Sequence, residues 1–122
     1  MVERLLPGQI ALLAAYAAAL AGGQLLFKMA AMRGAGAAAL GERIAASLLN
    51  GYFVAAIILY AALTVLWVWI LTFTPLSRAY PFVALAFVLT PTLGALLFSE
   101  PVSVRLVIGL VLILGGLLFV AE

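Results

Sequence analysis

Uncharged stretches and charged positions alternate along the chain in a regular way. Residues 5–27, 44–77, 79–99 and 106–121 contain no Asp, Glu, Lys or Arg. About 20 apolar residues span the hydrocarbon core of a bilayer, so these stretches can be read as membrane spans, of which the last two are short but adequate. Backbone groups in lipid must be hydrogen-bonded within the segment, so runs of this length favour helices over strands. The pattern therefore predicts four transmembrane helices, at 9–31, 51–73, 81–98 and 103–121.

The sequence between the first two predicted helices, RGAGAAALGERIAASLLNG, is too polar and too often broken by glycine to span a membrane. Its larger apolar side chains, Leu40, Ile44 and Leu48, recur every four residues, and Glu42 and Arg43 fall on the opposite side. This spacing is typical of an amphipathic helix. We expect a short helix here that lies in the membrane interface.

Composition supports a membrane location for the whole chain. Hydrophobic residues make up 69% of the 122 residues and charged residues 8%, whereas soluble domains average about 45–50% and about 25%. We expect an all-α membrane protein with a single domain over 1–122. The chain has no Cys, His or Asp, which removes the usual acid–base, thiol and zinc chemistry. We therefore expect no enzyme activity, cofactor, bound metal or nucleic-acid partner.

The first predicted helix ends with two polar side chains on one face. Gln24 and Lys28 are four residues apart, so they lie one turn from each other. Lysines near helix ends often snorkel, with the stem in lipid and the ammonium among headgroups. A charged group inside a membrane segment is costly, however, and this favours a task for Lys28, such as binding an anion beside the Gln24 amide.

Other polar and aromatic side chains follow in the second helix and the link after it. Tyr60 and Trp67 fall on one side of the second helix. They either line a cavity or, in the case of Trp67, belong to the aromatic belt near the headgroups. Arg78 lies in the link, where it either binds a substrate phosphate or holds surrounding lipid phosphates.

Two features of the last helices suggest assembly and movement. Pro91 lies well inside the third helix, where it removes a backbone hydrogen bond and serves either as a hinge or as a fixed bend. Gly109 and Gly116 are seven residues apart on the fourth helix and share a face. Paired glycines permit close helix packing in membranes, so we expect a dimer contact here.

These motifs resemble a known superfamily. The stretch TPLSRAYPFVALAFVLTPTLGALLFSEPVS, the Gln24–Lys28 pair and the final IGLVLILGGLLF resemble the drug/metabolite transporter superfamily (EamA-like) over nearly the whole chain. Within it, the chain is similar to the small multidrug resistance proteins, which are dimers of four-helix subunits, often antiparallel. Gly109 and Gly116 match the glycines of their helix 4 dimer seam, and Tyr80 matches the tyrosine of the alanine–tyrosine pair that opens their helix 3.

One departure from that pattern changes the expected substrate. The drug exporters carry a glutamate in the middle of helix 1 that binds protons and cationic drugs, and the corresponding residue here is Leu20. The tryptophan that follows the tyrosine in their helix 3 appears here as Val83. What remains, LAGGQLLFK and LSRAYPF, looks more like the subunits that flip aminoarabinose-phosphoundecaprenol and related lipid-linked sugars.

This resemblance implies a multi-pass flippase subunit of a bacterial-type inner membrane that moves a polyprenyl-phosphate-linked sugar between leaflets. It would work as a homodimer or as a heterodimer with a similar four-helix subunit. Lys28 is expected to hold the phosphate, with Arg78 as the weaker choice. The expected contacts of the sugar or its path are Gln24, Tyr80, Tyr60 and Trp67. Two alternatives stay open: a small-multidrug-resistance-type exporter of cationic or metabolite substrates, and a non-transporting partner subunit.

Overall fold

The computed structural model describes residues 6–36 and 39–121, which form helices joined by short turns. Residues 1–5, 37–38 and 122, which the predicted single domain includes, lie outside this described part. The helices in chain order are α1 (Pro7–Gly34), α2 (Leu40–Leu48), α3 (Gly51–Leu71), α4 (Leu76–Ala79), α5 (Ala84–Phe98) and α6 (Val104–Ala121), and a 3-10 turn over Tyr80–Val83 joins α4 to α5.

Three segments are long and apolar enough to cross a membrane: Pro7–Gly34, Gly51–Leu71 and Leu76–Phe98. The apolar segment of α6, Val104–Val120, is shorter. All four coincide with predicted helices to within a few residues. The described chain is thus helical, with three long apolar helices and one shorter apolar helix, which is the composition of a helical membrane protein.

The link before the third apolar segment contains more helix than the sequence predicts. Helical structure begins at Leu76, directly after the extended backbone of Pro75 (φ −60°, ψ 141°), rather than at Pro81. Pro81 has no N–H to donate to the preceding turn, so the regular α-helical ladder cannot run through it. The backbone over Tyr80–Val83 tightens to 3-10 geometry instead, and α5 follows.

Helix α1 is the centre of the bundle, because both α3 and α5 pack against it while α6 packs on α5. Ala17 and Ala21 are completely buried on α1, and their small side chains allow the neighbouring helices to come close. The largest fully buried side chains are Leu13 of α1 and Ile70 of α3, which share one cluster with Phe82. This cluster fixes the relative positions of the three apolar segments.

Gln9 joins the start of α1 to the end of α3, so these two helices run antiparallel. Its amide nitrogen donates to the Phe73 carbonyl and to the Thr74 hydroxyl, both at 3.4 Å. Its amide oxygen accepts the Leu6 N–H at 2.8 Å, which satisfies a free donor at the start of α1. Lys28 lies 19 residues further along α1, about 28 Å away at 1.5 Å per residue. Gln9 and Lys28 therefore lie near opposite ends of the bundle.

Helix α2 occupies the place predicted for a short amphipathic helix. Asn50 ties it to α3: the side-chain oxygen accepts the Phe53 N–H at 3.2 Å, and the side-chain nitrogen donates to the carbonyls of Ala46 and Ser47. Gly34, at the end of α1, lies directly against the backbone of Arg43, where any larger side chain would collide. The apolar side of α2 is not covered by the rest of the described chain, since Leu40, Ile44 and Leu48 are exposed.

Candidate functional site

A cleft lies beside the last turns of α1, between that helix and the end of α5 with the loop that follows it. Its volume is about 290 Å³, and we call it the first cleft. Its lining includes the polar side chains of Gln24, Lys28, Thr90 and Glu100 among apolar groups such as Phe98. Lys28 is exposed and shares this lining with the other three polar side chains. The cleft thus brings the predicted Gln24–Lys28 pair together with two further polar side chains.

The carboxylate of Glu100 reaches the first cleft because the chain reverses direction at the end of α5. Ser99 ends this helix in the left-handed conformation, with φ 52° and ψ 36°, which is uncommon for a residue other than glycine. Glu100 then lies over Gly94, where an added Cβ would come within 3.2 Å of the Glu100 Oε1 atom. Gly94 thus leaves the space that the carboxylate occupies.

A second cleft adjoins the first and lies between α1, α3 and α5. Its volume is about 460 Å³, and Gln24, Thr90 and Pro91 line both clefts. The rest of its lining is largely apolar and includes Leu20 and Tyr60. Among the described residues that line it, none is charged. The second cleft therefore offers hydrogen bonds and apolar contact but no ion pair.

A hydrogen-bonded chain of three groups fixes the boundary between the clefts. The Gln24 amide nitrogen donates to the Tyr60 hydroxyl at 2.8 Å, and that hydroxyl donates to the Leu20 carbonyl at 3.1 Å. Phe27 stacks on the Tyr60 ring with centroids 5.3 Å apart. Gly23 permits this arrangement, because a Cβ on it would lie 2.5 Å from the ring. Gln24 is therefore held in place rather than free to swing.

The structure divides the predicted site residues into two groups. Lys28, Gln24 and Tyr60 converge on the two clefts. Arg78 lies in α4 near the opposite end of the bundle and lines neither cleft, and Tyr80 lines a separate, open depression with Ser77. The sequence placed all of them in one site because it gives no direct information on which ends of different helices meet.

Trp67 belongs to the second group and has a packing role in this chain. Its ring stacks on Tyr16 at 5.0 Å and meets Tyr80 edge-on at 6.3 Å. Such aromatic pairs add about 0.5–1.5 kcal/mol beyond area burial. Trp67 lines neither of the two clefts, so the stripe of polar and aromatic residues on α3 contributes only Tyr60 to them.

Sequence reasoning missed two residues of the first cleft. Glu100 stands in a loop between two apolar segments, where a carboxylate is ordinarily solvated, and Thr90 precedes Pro91 inside a span. The only signal for Glu100 was its position between Ser99 and Pro101 in a short connection. Among the described residues no three His, Cys, Asp or Glu side chains converge. The charged and polar side chains that line the first cleft can form ion pairs and hydrogen bonds with a ligand.

The predicted hinge borders the two clefts, whereas the predicted dimer contact lies away from them. Pro91 lines both clefts, and α5 continues through it as a helix. Its missing N–H leaves the Phe87 carbonyl without the usual partner. A Cβ added at Gly109 or Gly116 would meet nothing within 4 Å, so neither glycine serves packing between described helices of this chain. Their roles stay predictions.

Comparison with known proteins places this geometry in a family. No protein-family model and no solved structure matches the chain. It is 34% identical over 96 residues to the probable 4-amino-4-deoxy-L-arabinose-phosphoundecaprenol flippase subunit ArnE of Sodalis glossinidius (strain morsitans), and the match covers 79% of this chain and 81% of the relative. The chain belongs to this family of flippase subunits.

Family membership confirms the resemblance expected from the Gln24–Lys28 pair and the missing glutamate at Leu20. The relative is named as a flippase subunit, which is a component of a transporter rather than an enzyme. Together with the three helices that are long enough to cross a membrane, it makes the chain a multi-pass protein of the inner membrane.

Proposed function

We propose that the chain is a subunit of a flippase that moves a polyprenyl-phosphate-linked sugar between membrane leaflets. An aminosugar of the kind in the relative's name is the best-supported substrate class. The observation that carries the proposal is the first cleft, whose lining brings Lys28 together with the polar side chains of Gln24, Thr90 and Glu100. The phosphate binds Lys28, the sugar enters the groove, and the prenyl tail stays in lipid.

The physical task is to carry a phosphate and a polyol across hydrocarbon. An isolated charge is costly at the bilayer centre, and hydroxyl groups there lose their hydrogen bonds to water. A groove that supplies an ammonium and amide groups lowers both costs. Gln24 is well suited to contact the sugar, because its bond to Tyr60 fixes its orientation at the junction of the two clefts. Tyr60 lines the continuation of the path.

The second group of predicted residues belongs to the opposite end of this path. Arg78, Tyr80 and Trp67 lie towards the end of α1 that carries Gln9, since Arg78 stands in the short link after α3 and Trp67 contacts Tyr80. Gln9 and Lys28 are themselves about 28 Å apart along α1, which is close to the thickness of the hydrocarbon core. We assign Arg78 to the phosphate as it reaches the other leaflet. Tyr80 is exposed and would contact the sugar there.

The proposed assembly is a dimer of subunits with four membrane spans each. The exposed apolar residues of α6 and the open surface at Gly109 and Gly116 support a seam between subunits along this helix. The uncovered apolar side of α2, with Leu40 and Ile44, would lie in the membrane interface. Pro91 would act as the hinge, because it lines both clefts and weakens the α5 backbone between them.

A cation exporter is the less favoured function. The position that carries the drug-binding glutamate in such exporters is Leu20 in this chain. Leu20 lines the second cleft, and none of the described residues that line this cleft carries a charge. A non-transporting partner subunit is favoured by one observation: the relative is named as one subunit of a flippase, so a second subunit could carry out the transport. It predicts that the chain has no flipping activity of its own.

Flipping can be measured in proteoliposomes with a polyprenyl-phosphate-linked aminopentose, by following how much of its amine reacts with a membrane-impermeant reagent. We expect Lys28→Gln to lower the flipping rate about tenfold, the loss expected for one charge-assisted hydrogen bond. Gln24→Ala should lower it less, because a neutral hydrogen bond is lost.

Arg33→Gln is the matched control. It removes a positive charge from the same helix, but Arg33 lies over the Tyr52 ring, 5.3 Å from its centroid, and lines neither cleft. Its flipping rate should stay close to that of the unaltered protein. Wild-type rates in both Lys28→Gln and Gln24→Ala would show that these residues do not bind the headgroup.

A further inference from the structure

The first cleft contains two opposite charges that do not neutralise each other. Lys28 and Glu100 both line it. Neither forms an ion pair with any described residue, so their nitrogen and oxygen atoms are more than 4.0 Å apart. Opposite charges that face one cleft without touching leave room between them for a ligand that carries both complementary charges.

The backbone places the Glu100 carboxylate in the cleft by two local features. Ser99 adopts the left-handed conformation that turns the chain back over α5, although it is not glycine. Gly94 lacks the side chain that would press against the carboxylate oxygen, 3.2 Å away. Unusual backbone conformations at non-glycine residues concentrate at functional sites. Both features belong to the turn that holds the exposed Glu100 in the same cleft lining as Lys28.

We propose that Glu100 is a specificity-determining residue that binds a protonated amine on the sugar while Lys28 binds the phosphate. This inference rests on the proposed function and adds to it the requirement for a zwitterionic headgroup. A headgroup with a phosphate and a neutral sugar would satisfy Lys28 but leave Glu100 unpaired beside a second negative charge. A headgroup with both charges satisfies both side chains.

The size and the remaining polar groups of the cleft fit such a headgroup. Its volume of about 290 Å³ is at the small end of ligand sites, which run from about 300 Å³ upwards. Gln24 and Thr90 stand in the same lining and can hydrogen-bond the sugar hydroxyls. Carboxylates and ammonium groups form short, charge-assisted hydrogen bonds, so recognition of the amine depends on the carboxylate reaching it.

The test compares two probes on the full chain in lipid nanodiscs: a polyprenyl phosphate linked to an aminopentose, and the same lipid with a hydroxyl in place of the amine. We expect the unaltered protein to bind the amine probe about tenfold more tightly, as one charge-assisted hydrogen bond provides. Glu100→Gln should abolish this preference by weakening only the amine probe. Glu100→Asp, which keeps the charge on a shorter side chain, should retain part of it.

Two controls separate the possible failures. Glu42→Gln removes a carboxylate from α2, outside both clefts, and should leave the preference unchanged. Lys28→Gln should weaken both probes equally, since both carry the phosphate. If Lys28→Gln weakens both probes but Glu100→Gln keeps the preference for the amine, the role of Glu100 is wrong and the proposed function stands. If Lys28→Gln affects neither probe, the proposed function itself fails.

Discussion

At the scale of single residues, the hydrogen bond from Gln24 to Tyr60 shows how a side chain acquires a defined orientation. The sequence places Gln24 and Lys28 on one face of a helix, and this follows from helical periodicity alone. The sequence does not reveal that the Tyr60 hydroxyl accepts a hydrogen bond from Gln24 and donates one to the Leu20 carbonyl. That arrangement depends on Gly23, which has no side chain to push the Tyr60 ring away.

Gly23→Ala should therefore impair flipping without unfolding the protein. The new methyl group would displace the Tyr60 ring and break its hydrogen bond with Gln24. Such a bond contributes about 1 kcal/mol, and without it the Gln24 amide is no longer held in one orientation. We expect the flipping rate of the lipid-linked aminopentose to fall severalfold. Gly22→Ala is the control, because a Cβ there meets nothing within 4 Å. Equal rates in the two variants would contradict a role for the Gln24–Tyr60 bond.

At the scale of the elements, the membrane makes the sequence unusually informative. Four apolar stretches predict four helices because lipid leaves the backbone no other partner, and α1, α3, α5 and α6 lie where the pattern predicts them. The link over 72–83 was predicted less well: the sequence predicts that the next helix begins at Pro81, but helical structure begins before it. Whether a short link between two prolines becomes helical depends on backbone geometry that the hydrophobic pattern does not record. Pro91 is visible in the sequence, but only the structure shows that it borders both clefts.

Pro91→Ala tests whether α5 bends during transport. Alanine restores the N–H that the Phe87 carbonyl lacks and favours a helix interior by about 3 kcal/mol over proline. A stiffer helix should lower the flipping rate severalfold while the affinity for the amine probe stays the same. Pro75→Ala, at the start of α4 and outside both clefts, is the control. An unchanged flipping rate would mean that Pro91 is a fixed bend.

At the scale of the whole molecule, α1 is surrounded by other helices, whereas α6 packs on one side only. The outward side of α6 carries exposed apolar residues and the two predicted seam glycines. In lipid such a surface is not driven to associate by hydrophobicity, because acyl chains are equally apolar, so close packing of small residues decides the contact. We therefore expect the two glycines of the proposed seam to contribute more to dimer stability than the leucines around them.

The chain has no cysteine, so single cysteines can map this contact. Leu112 lies on the same side of α6 as Gly109 and Gly116, and Leu112→Cys should cross-link to a second subunit in membranes. Introducing Gly116→Leu as well should lower cross-linking about tenfold, equivalent to about 1.4 kcal/mol of dimer stability. The mass of the product, against 12.8 kDa for one chain, distinguishes a homodimer from a heterodimer.

Val65→Cys is the control for chance encounters in the membrane. Val65 on α3 is 72% exposed and Leu112 is 70% exposed, so the two positions are equally accessible to a neighbouring subunit. We expect little cross-linking through Val65. A product through Val65 and none through Leu112 would place the subunit contact on α3 instead of α6.

Two properties follow from the order of residues alone: the chain is a helical membrane protein, and a lysine and a glutamine share one face of its first helix. Composition decides the solvent, and the helical repeat decides which neighbours in sequence share a face, so neither needs a tertiary contact. Which residues from distant parts of the sequence lie together depends on how the helices pack. The packing of α5 on α1 and the left-handed turn at Ser99 put Glu100 and Lys28 in the lining of one cleft, while the antiparallel course of α1 and α3 carries Arg78 to the other end.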